Sequence, residues 1–339
     1  MKPEVMAVFA REALKIPSSV PVTLSPLGKR GSDRAYFRTA WEGGNTAILV
    51  EYDRTREENA YFADIAAFLA DIGIPAPRVL RHDPAACLIA VEDLGDADLR
   101  SFREAPRETR LALYRKTLSA IGRLHSFPVA SFPSQRVRLM EGFGPDLYRW
   151  ERGYFMDRFV RDVCGIEPEP SFERELEAEL SALAGRLLAR GVCLIHRDLQ
   201  SRNVMVRDGE PFFIDFQGMR KGCAFYDLGS LLCDPYVSFS EADRDELLSF
   251  YYALAGRDVD RAAFEEAFWE ASAQRLMQAL GAYGFLWLKK GLEDFAAHVP
   301  EGLANLLRAT ARVPSLPLLR ELAERCRTAY GRRHSLPRK

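Results

Sequence analysis

Residues 194–216, LIHRDLQSRNVMVRDGEPFFIDF, constrain this chain of 339 residues more than any other segment. Three short apolar runs, Cys193-Leu194-Ile195, Val204-Met205-Val206 and Phe212-Phe213-Ile214, each lie close to an isolated polar side chain. Runs of this length bounded by turn residues read as short buried strands. Asp208-Gly209 between the last two reads as a hairpin turn. Asp198 and Asn203 then share one loop ahead of the hairpin, and Asp215 ends its second strand. A hairpin folds back on itself, so Asn203 and Asp215 arrive side by side. Two oxygen-bearing side chains side by side, with a third carboxylate nearby, suit a hard divalent cation whose shell is completed by phosphate oxygens.

The spacing adds a second constraint. His196-Arg197-Asp198 is followed by Asn203 five positions after the aspartate, and Asp215 comes twelve after Asn203. In phosphoryl transfer a carboxylate orients the acceptor hydroxyl and takes its proton, while an Asn and an Asp hold magnesium on the nucleotide phosphates. On these residues the chain resembles the protein-kinase-like superfamily, and within it the aminoglycoside phosphotransferase branch. Asp215 is followed by Phe216-Gln217 rather than Phe-Gly. Asp227, in YDLGSLL, follows Asp215 by only twelve positions, and no Ser, Thr or Tyr lies between Phe216 and Phe225. No long activation segment fits there, so a small-molecule acceptor is expected. The resemblance implies Asp198 as base, Asn203 and Asp215 as metal ligands, and His196 and Asp227 as structural residues, Asp227 bracing the catalytic loop.

The rest of the chain is patterned to match an α+β, protein-kinase-like bilobal fold, with a small β-rich N-lobe and a larger, mainly helical C-lobe. Val22–Leu27, Ala35–Trp41 and Thr46–Tyr52 are β-rich runs parted by Gly28/Gly31 and the Gly43-Gly44 turn. A helix is expected from about Thr55, with Glu58 as a capping-box partner and Tyr61, Ile65, Phe68, Leu69 and Ile72 on its apolar face. Strands are expected again at Arg78–Arg81 and Cys87–Glu92. Beyond Asp98 the pattern is helical, with Arg107–His125, Tyr148–Val163, Phe172–Arg190 and the segments after Glu241. The expected division is residues 1–95, a sheet plus one helix; 96–331, helical, with catalytic loop, metal site and acceptor pocket; and a basic tail, 332–339. A cleft between two such lobes is a natural ligand site.

Gly28 to Arg38 resembles the phosphate-covering loop of the branch, which makes Gly31, Ser32, Arg34 and Arg38 candidate nucleotide-binding residues. The third strand, Ala47 to Tyr52, lacks the lysine usual there. Arg34 and Arg38 are the candidate substitute cations. Glu92 and Leu94 match the interlobe hinge, where the family binds adenine through backbone groups.

IDFQG and YDLGSLLCDPYVSF, with the early Ser-Asp run and the absent lysine, resemble the anomeric sugar kinases that phosphorylate N-acetylmuramate and N-acetylglucosamine at the C1 hydroxyl. That resemblance implies ATP and Mg2+ as cofactors and a role in cell-wall sugar recycling, with a sugar-phosphate nucleotidyltransferase as the next enzyme. Gln217, Asp234, Tyr236 and Glu151 are the candidate contacts to the sugar. Alternatives are a kinase of the same branch acting on an aminoglycoside, an amino alcohol or another hexose, and a nucleotide-binding pseudokinase.

Composition narrows the classes that remain. The net charge is −1, which points to neither nucleic acid nor an anionic membrane. The longest charge-free apolar stretch, Leu276 to Leu288, has thirteen residues, short of the roughly 20 that span a bilayer as a helix. Arg11, Glu12 and Lys15 interrupt any signal-type apolar run, and the six cysteines form no C-x-x-C pair. A cytoplasmic, monomeric protein with reduced thiols is the expectation.

Overall fold

A computed structural model describes residues 3–28, 34–255 and 259–334. Along the chain the elements are α1 (Pro3–Leu14), β1 (Thr23–Pro26), β2 (Ala35–Trp41), β3 (Asn45–Glu51), α2 (Phe62–Asp71), β4 (Val79–Asp83) and β5 (Leu88–Glu92). Then come α3 (Arg107–His125), α4 (Pro145–Phe155), α5 (Pro170–Ala189), β6 (Cys193–Ile195), β7 (Val204–Arg207), β8 (Glu210–Phe213) and β9 (Arg220–Gly222). The helices α6 (Ala224–Leu232), α7 (Glu241–Ala255), α8 (Arg261–Leu288), α9 (Val299–Arg312) and α10 (Pro317–His334) complete it.

The chain forms two compact units. The first comprises Met1–Asp98, Phe132–Met140 and Asn203–Gly218. Its sheet is antiparallel, in the order β1-β2-β3-β5-β4. Side chains alternate across the strands. Leu49, Leu88 and Ala90 therefore meet Met6, Phe9 and Ala10 of α1 on one face, while Val50, Tyr52, Ile89 and Val91 cluster on the other. The helix α1 adds to the single helix expected here. Its signal was present as Met6, Phe9, Ala10 and Ala13, which are spaced for one helical face. Gly43 and Gly44 take φ of 80° and 74° in the turn between β2 and β3, a conformation that suits glycine.

The helix expected from Thr55 begins later. Residues Glu57–Tyr61 form a 3-10 stretch, and α2 starts at Phe62 without a side-chain cap. The Thr55 N–H donates to Asp53 Oδ1 at 2.8 Å. The local Asx turn wins over the capping box because it closes a shorter loop. Ile65, Phe68 and Leu69 are buried as the spacing predicts, and Gly73, at φ 71°, ends the helix.

The β7–β8 hairpin belongs to the first unit. Its register pairs Val204 with Phe213 and Arg207 with Glu210. The Val206 N–H donates to the Ala97 carbonyl at 2.8 Å, the Phe213 N–H donates to that of Pro75 at 2.9 Å, and Phe216 stacks on Phe62 with centroids 4.6 Å apart.

The second unit comprises Leu99–Ser131, Glu141–Arg202 and Met219–Lys339. Helix α8 runs through its core and packs on α4, α6 and α9. It is buried along most of its length, its polar side chains Glu270, Gln274, Arg275 and Gln278 included. Glycines set its approach to its neighbours. A Cβ at Gly284 would sit 2.1 Å from the Arg158 carbonyl oxygen, and one at Gly229 of α6 would sit 2.9 Å from Ser272 Cα. The helix α4 continues as a π-helical turn at Met156–Arg161. Arg332 and Arg333 are the end of α10, and 335–339 lie outside the described residues. Among the described residues no helix is long and apolar enough to cross a membrane.

Candidate active site

Strand β6 delivers the chain to His196. From there one buried carboxylate takes over the backbone. Asp227, in the first turn of α6, accepts the N–H groups of His196 and Arg197, each at 2.7 Å. His125 Nε2 lies 3.1 Å from the same carboxylate, and its Nδ1 is 2.7 Å from the Tyr251 hydroxyl. Asp234 is also fully buried, and accepts the N–H groups of Ser201, at 2.7 Å, and Tyr236, at 3.0 Å. The loop from 196 to 201 is thus pinned near both ends by carboxylates that receive backbone donors. Arg197 is held at φ 77°, a conformation that costs a non-glycine residue about 1–3 kcal/mol. Such strain persists where the surroundings over-determine it, and it collects at functional sites.

Asp198 follows immediately. Arg197 Nη1 donates to its Oδ2 at 2.6 Å, and Arg275 Nη2, from α8, donates to Oδ1 at 3.3 Å. Burial alone would raise its proton affinity, but Arg197, Arg275 and His196 outweigh it and hold the carboxyl at about 2. The neighbouring cations thus favour the carboxylate form of Asp198. Arg220 of β9 adds a third guanidinium, which burial and the Arg197 charge push below its ordinary value. Sequence reasoning missed Arg275. Its signal was there: it is the one charge between Glu270 and Lys289, in the otherwise uncharged second half of α8.

In the first unit, hairpin closure brings Asn203 and Asp215 together. The Ile214 N–H donates to the Asn203 carbonyl at 3.0 Å, next to the Val204–Phe213 pair. Asp215 sits at φ 64°. Its Oδ1 accepts from Arg34 Nη2 at 2.5 Å and from Gln217 Nε2 at 2.8 Å. Burial works against the charge on Arg34, but Asp215 more than restores it and holds the guanidinium above its ordinary value. No group of three or more His, Cys, Asp or Glu suited to a metal occurs among the described residues. One carboxylate and one amide oxygen nonetheless fit magnesium, which binds few protein ligands and fills its shell with phosphate oxygens and water.

The other candidates are placed as follows. Gly31 and Ser32 lie outside the described residues. Arg38 forks across Asp93, at 2.7 Å, and Asp96, at 2.8 Å. Glu92 accepts from Arg207 Nη1 at 2.8 Å, and Leu94 is buried. Glu151 is fully enclosed, accepting from the Tyr226 hydroxyl at 2.7 Å and from Gln274 Nε2 at 3.0 Å, and burial raises its proton affinity. Tyr236 packs edge-on to His298, with centroids 4.3 Å apart, and the Arg202 guanidinium lies 5.3 Å from its ring.

Residues 23–266 match the model of the phosphotransferase enzyme family, APH. The chain belongs to this family. As a phosphotransferase of this kind it draws its phosphoryl group from ATP with a divalent cation. Among curated relatives, the N-acetylmuramate/N-acetylglucosamine kinase of Pseudomonas aeruginosa is 26% identical over 308 residues, 89% of this chain and 88% of that one. The kinase of the same name from Neisseria meningitidis is 26% identical over 86% of this chain and 87% of its own. A choline/ethanolamine kinase family protein from Mesorhizobium loti superposes with a TM-score of 0.61 at 17% identity, covering 95% of this chain and 99% of that one. The ADP-bound aminoglycoside phosphotransferase APH(2'')-Ib gives 0.57 at 14%, covering 92% and 100%. The fold of the phosphotransferase is therefore protein-kinase-like, with a small antiparallel sheet in one unit and a larger helical unit.

Proposed function

We propose that this phosphotransferase transfers the γ-phosphoryl group of ATP to the anomeric C1 hydroxyl of N-acetylmuramate and N-acetylglucosamine, as a step of cell-wall sugar recycling. The observation that carries the reading is the Asp198 carboxylate, clamped between two guanidinium groups. A carboxylate held in this way can orient an acceptor hydroxyl and take up its proton. An anomeric hydroxyl is more acidic than an ordinary alcohol. The long similarity to two relatives named for these amino sugars supports the same acceptor.

In this reading Asp198 orients the acceptor hydroxyl and receives its proton as the new oxygen–phosphorus bond forms. Asn203 and Asp215 would hold Mg2+, which when bound would supply neutralisation of charge on the phosphates. Arg34 is the cation that stands in for the absent third-strand lysine, since it already reaches the metal-ligand carboxylate. Gly31 and Ser32 remain candidate nucleotide-binding residues by the resemblance of their segment alone. The backbone from Glu92 to Leu94 receives the adenine, and Arg38 steadies that segment through Asp93 and Asp96. Gln217 and Tyr236 meet the sugar. Asp234 and Glu151 act on the acceptor side by fixing the Ser201 turn and Tyr226.

The test is a magnesium-ATP reaction with N-acetylglucosamine, N-acetylmuramate, glucose, galactose, kanamycin and choline, read by mass spectrometry. An acid-labile phosphate on an N-acetyl amino sugar is expected. Phosphate on kanamycin or choline alone would overturn the choice of acceptor.

A further inference from the structure

We infer that Arg275 is a positioning residue for the catalytic carboxylate: it holds Asp198 Oδ1 from α8 while Arg197 holds Oδ2, so the carboxylate keeps one orientation through the reaction. The inference rests on the reading of Asp198 as the base. Arg275 is 3% exposed, and its guanidinium has little freedom. Nε donates to Ser230 Oγ at 3.2 Å, Nη1 donates to Gln278 Oε1, and Nη2 donates to Asp198 Oδ1 at 3.3 Å. Its carbon lies 5.9 Å from the Tyr226 ring centroid. Tyr226 is fixed in turn by the Glu151 carboxylate. Each edge of the fork therefore has its own acceptor, and a planar fork so held presents its remaining nitrogen in one direction.

The seat of Arg275 is as fixed as its fork. Gly229 lets α6 press against Ser272, one turn before Arg275 on α8. The same α6 carries Asp227, which holds the backbone of His196 and Arg197. The α6–α8 pair thus grips the loop twice, by its backbone through Asp227 and by its side chain through Arg275.

Stability does not explain this arrangement. A buried ion pair costs desolvation that its attraction barely repays, and an apolar replacement of similar volume is often as stable. Asp198 feels the charges of Arg197, Arg220, Arg275 and His196, and Glu151 accepts from the Tyr226 hydroxyl beside Arg275. Retaining a further buried cation in that company makes sense if it orients a group that must be oriented. Misplacing a reacting group by about 1 Å costs on the order of 100-fold in rate.

The experiment compares Arg275→Met, Arg275→Lys, Ser230→Ala and Asp198→Asn. It reads kcat, KM for ATP, KM for N-acetylglucosamine, and melting temperature. Slow hydrolysis of ATP by water replaces the sugar as readout if no amino sugar is accepted. Arg275→Met should lower kcat by about 10- to 100-fold and leave KM for ATP within about twofold, with Arg275→Lys recovering part of the loss. Ser230→Ala, which frees one edge of the fork, should lower kcat in the same sense, and it carries the test if Arg275→Met does not fold. Unchanged kcat in Ser230→Ala together with Arg275→Lys no better than Arg275→Met would overturn the inference. If Asp198→Asn keeps wild-type kcat, the base assignment fails and the inference falls with it, on a variant that reads that point separately.

Discussion

Arg34 donates to Asp215 at 2.5 Å, across 181 positions of sequence, and thereby puts a cation on the carboxylate proposed to hold the metal. Arg34 would thus share that carboxylate with the divalent cation of the proposed function. Arg34→Ala should therefore raise KM for ATP by about tenfold, the worth of one charge-assisted contact, and Arg34→Lys should recover part of it. Arg38→Ala should behave otherwise, because Arg38 is engaged with Asp93 and Asp96. It should lower the melting temperature and change KM for ATP by less than about twofold. Steady-state kinetics with a thermal melt on both variants checks the pair. An Arg38→Ala enzyme with the larger KM change would reverse the two assignments.

Asp227 satisfies two backbone N–H groups and faces His125 with no exposure to solvent. Asp227→Ala leaves those donors buried, at about 1–3 kcal/mol for each unsatisfied group. Urea unfolding should show a loss of several kcal/mol, with activity abolished. Asp227→Asn retains acceptor oxygen and should lose less of both.

His298 gives stability a pH dependence with a definite sign. Burial first, and then the charges of Arg100 and Arg202, lower its proton affinity to about 4. The unfolded value is about 6.5. Between these values the unfolded chain binds more protons than the folded one, so stability rises with pH. The contribution is present in full above about 6.5 and is lost as pH falls towards 4. Melting temperatures at pH 5 and pH 7 should differ more in the wild type than in His298→Gln. Equal differences would show that His298 is not the group responsible.

Gly284→Ala tests the packing of α8. The added carbon would meet the Arg158 carbonyl at 2.1 Å, and backbone cannot swing aside as a side chain can. Overpacking of this kind costs about 1–3 kcal/mol. A lower urea midpoint is expected, with the site chemistry intact in the protein that remains folded.

Much of this protein was legible in its sequence where the physics is local. β-rich runs and glycine turns placed strands at Ala35–Trp41 and at Cys87–Glu92, where the structure has Leu88–Glu92, and the 3.6-residue spacing placed α3 at Arg107–His125. The spacing of Asp198, Asn203 and Asp215 around a two-residue turn pointed to the phosphotransferase family, and the hairpin does bring the Asn203 backbone next to the strand that ends at Asp215. What tertiary structure decided is where the distant charges go. Arg34 closes on Asp215, Arg38 forks onto Asp93 and Asp96, and Arg275 reaches Asp198 from 77 positions away. The start of α2 was likewise a competition between a capping box and an Asx turn that spacing cannot settle. An arginine has the same local propensity whichever carboxylate it meets. Only the packing of the sheet and of α8 fixes which one lies within its reach.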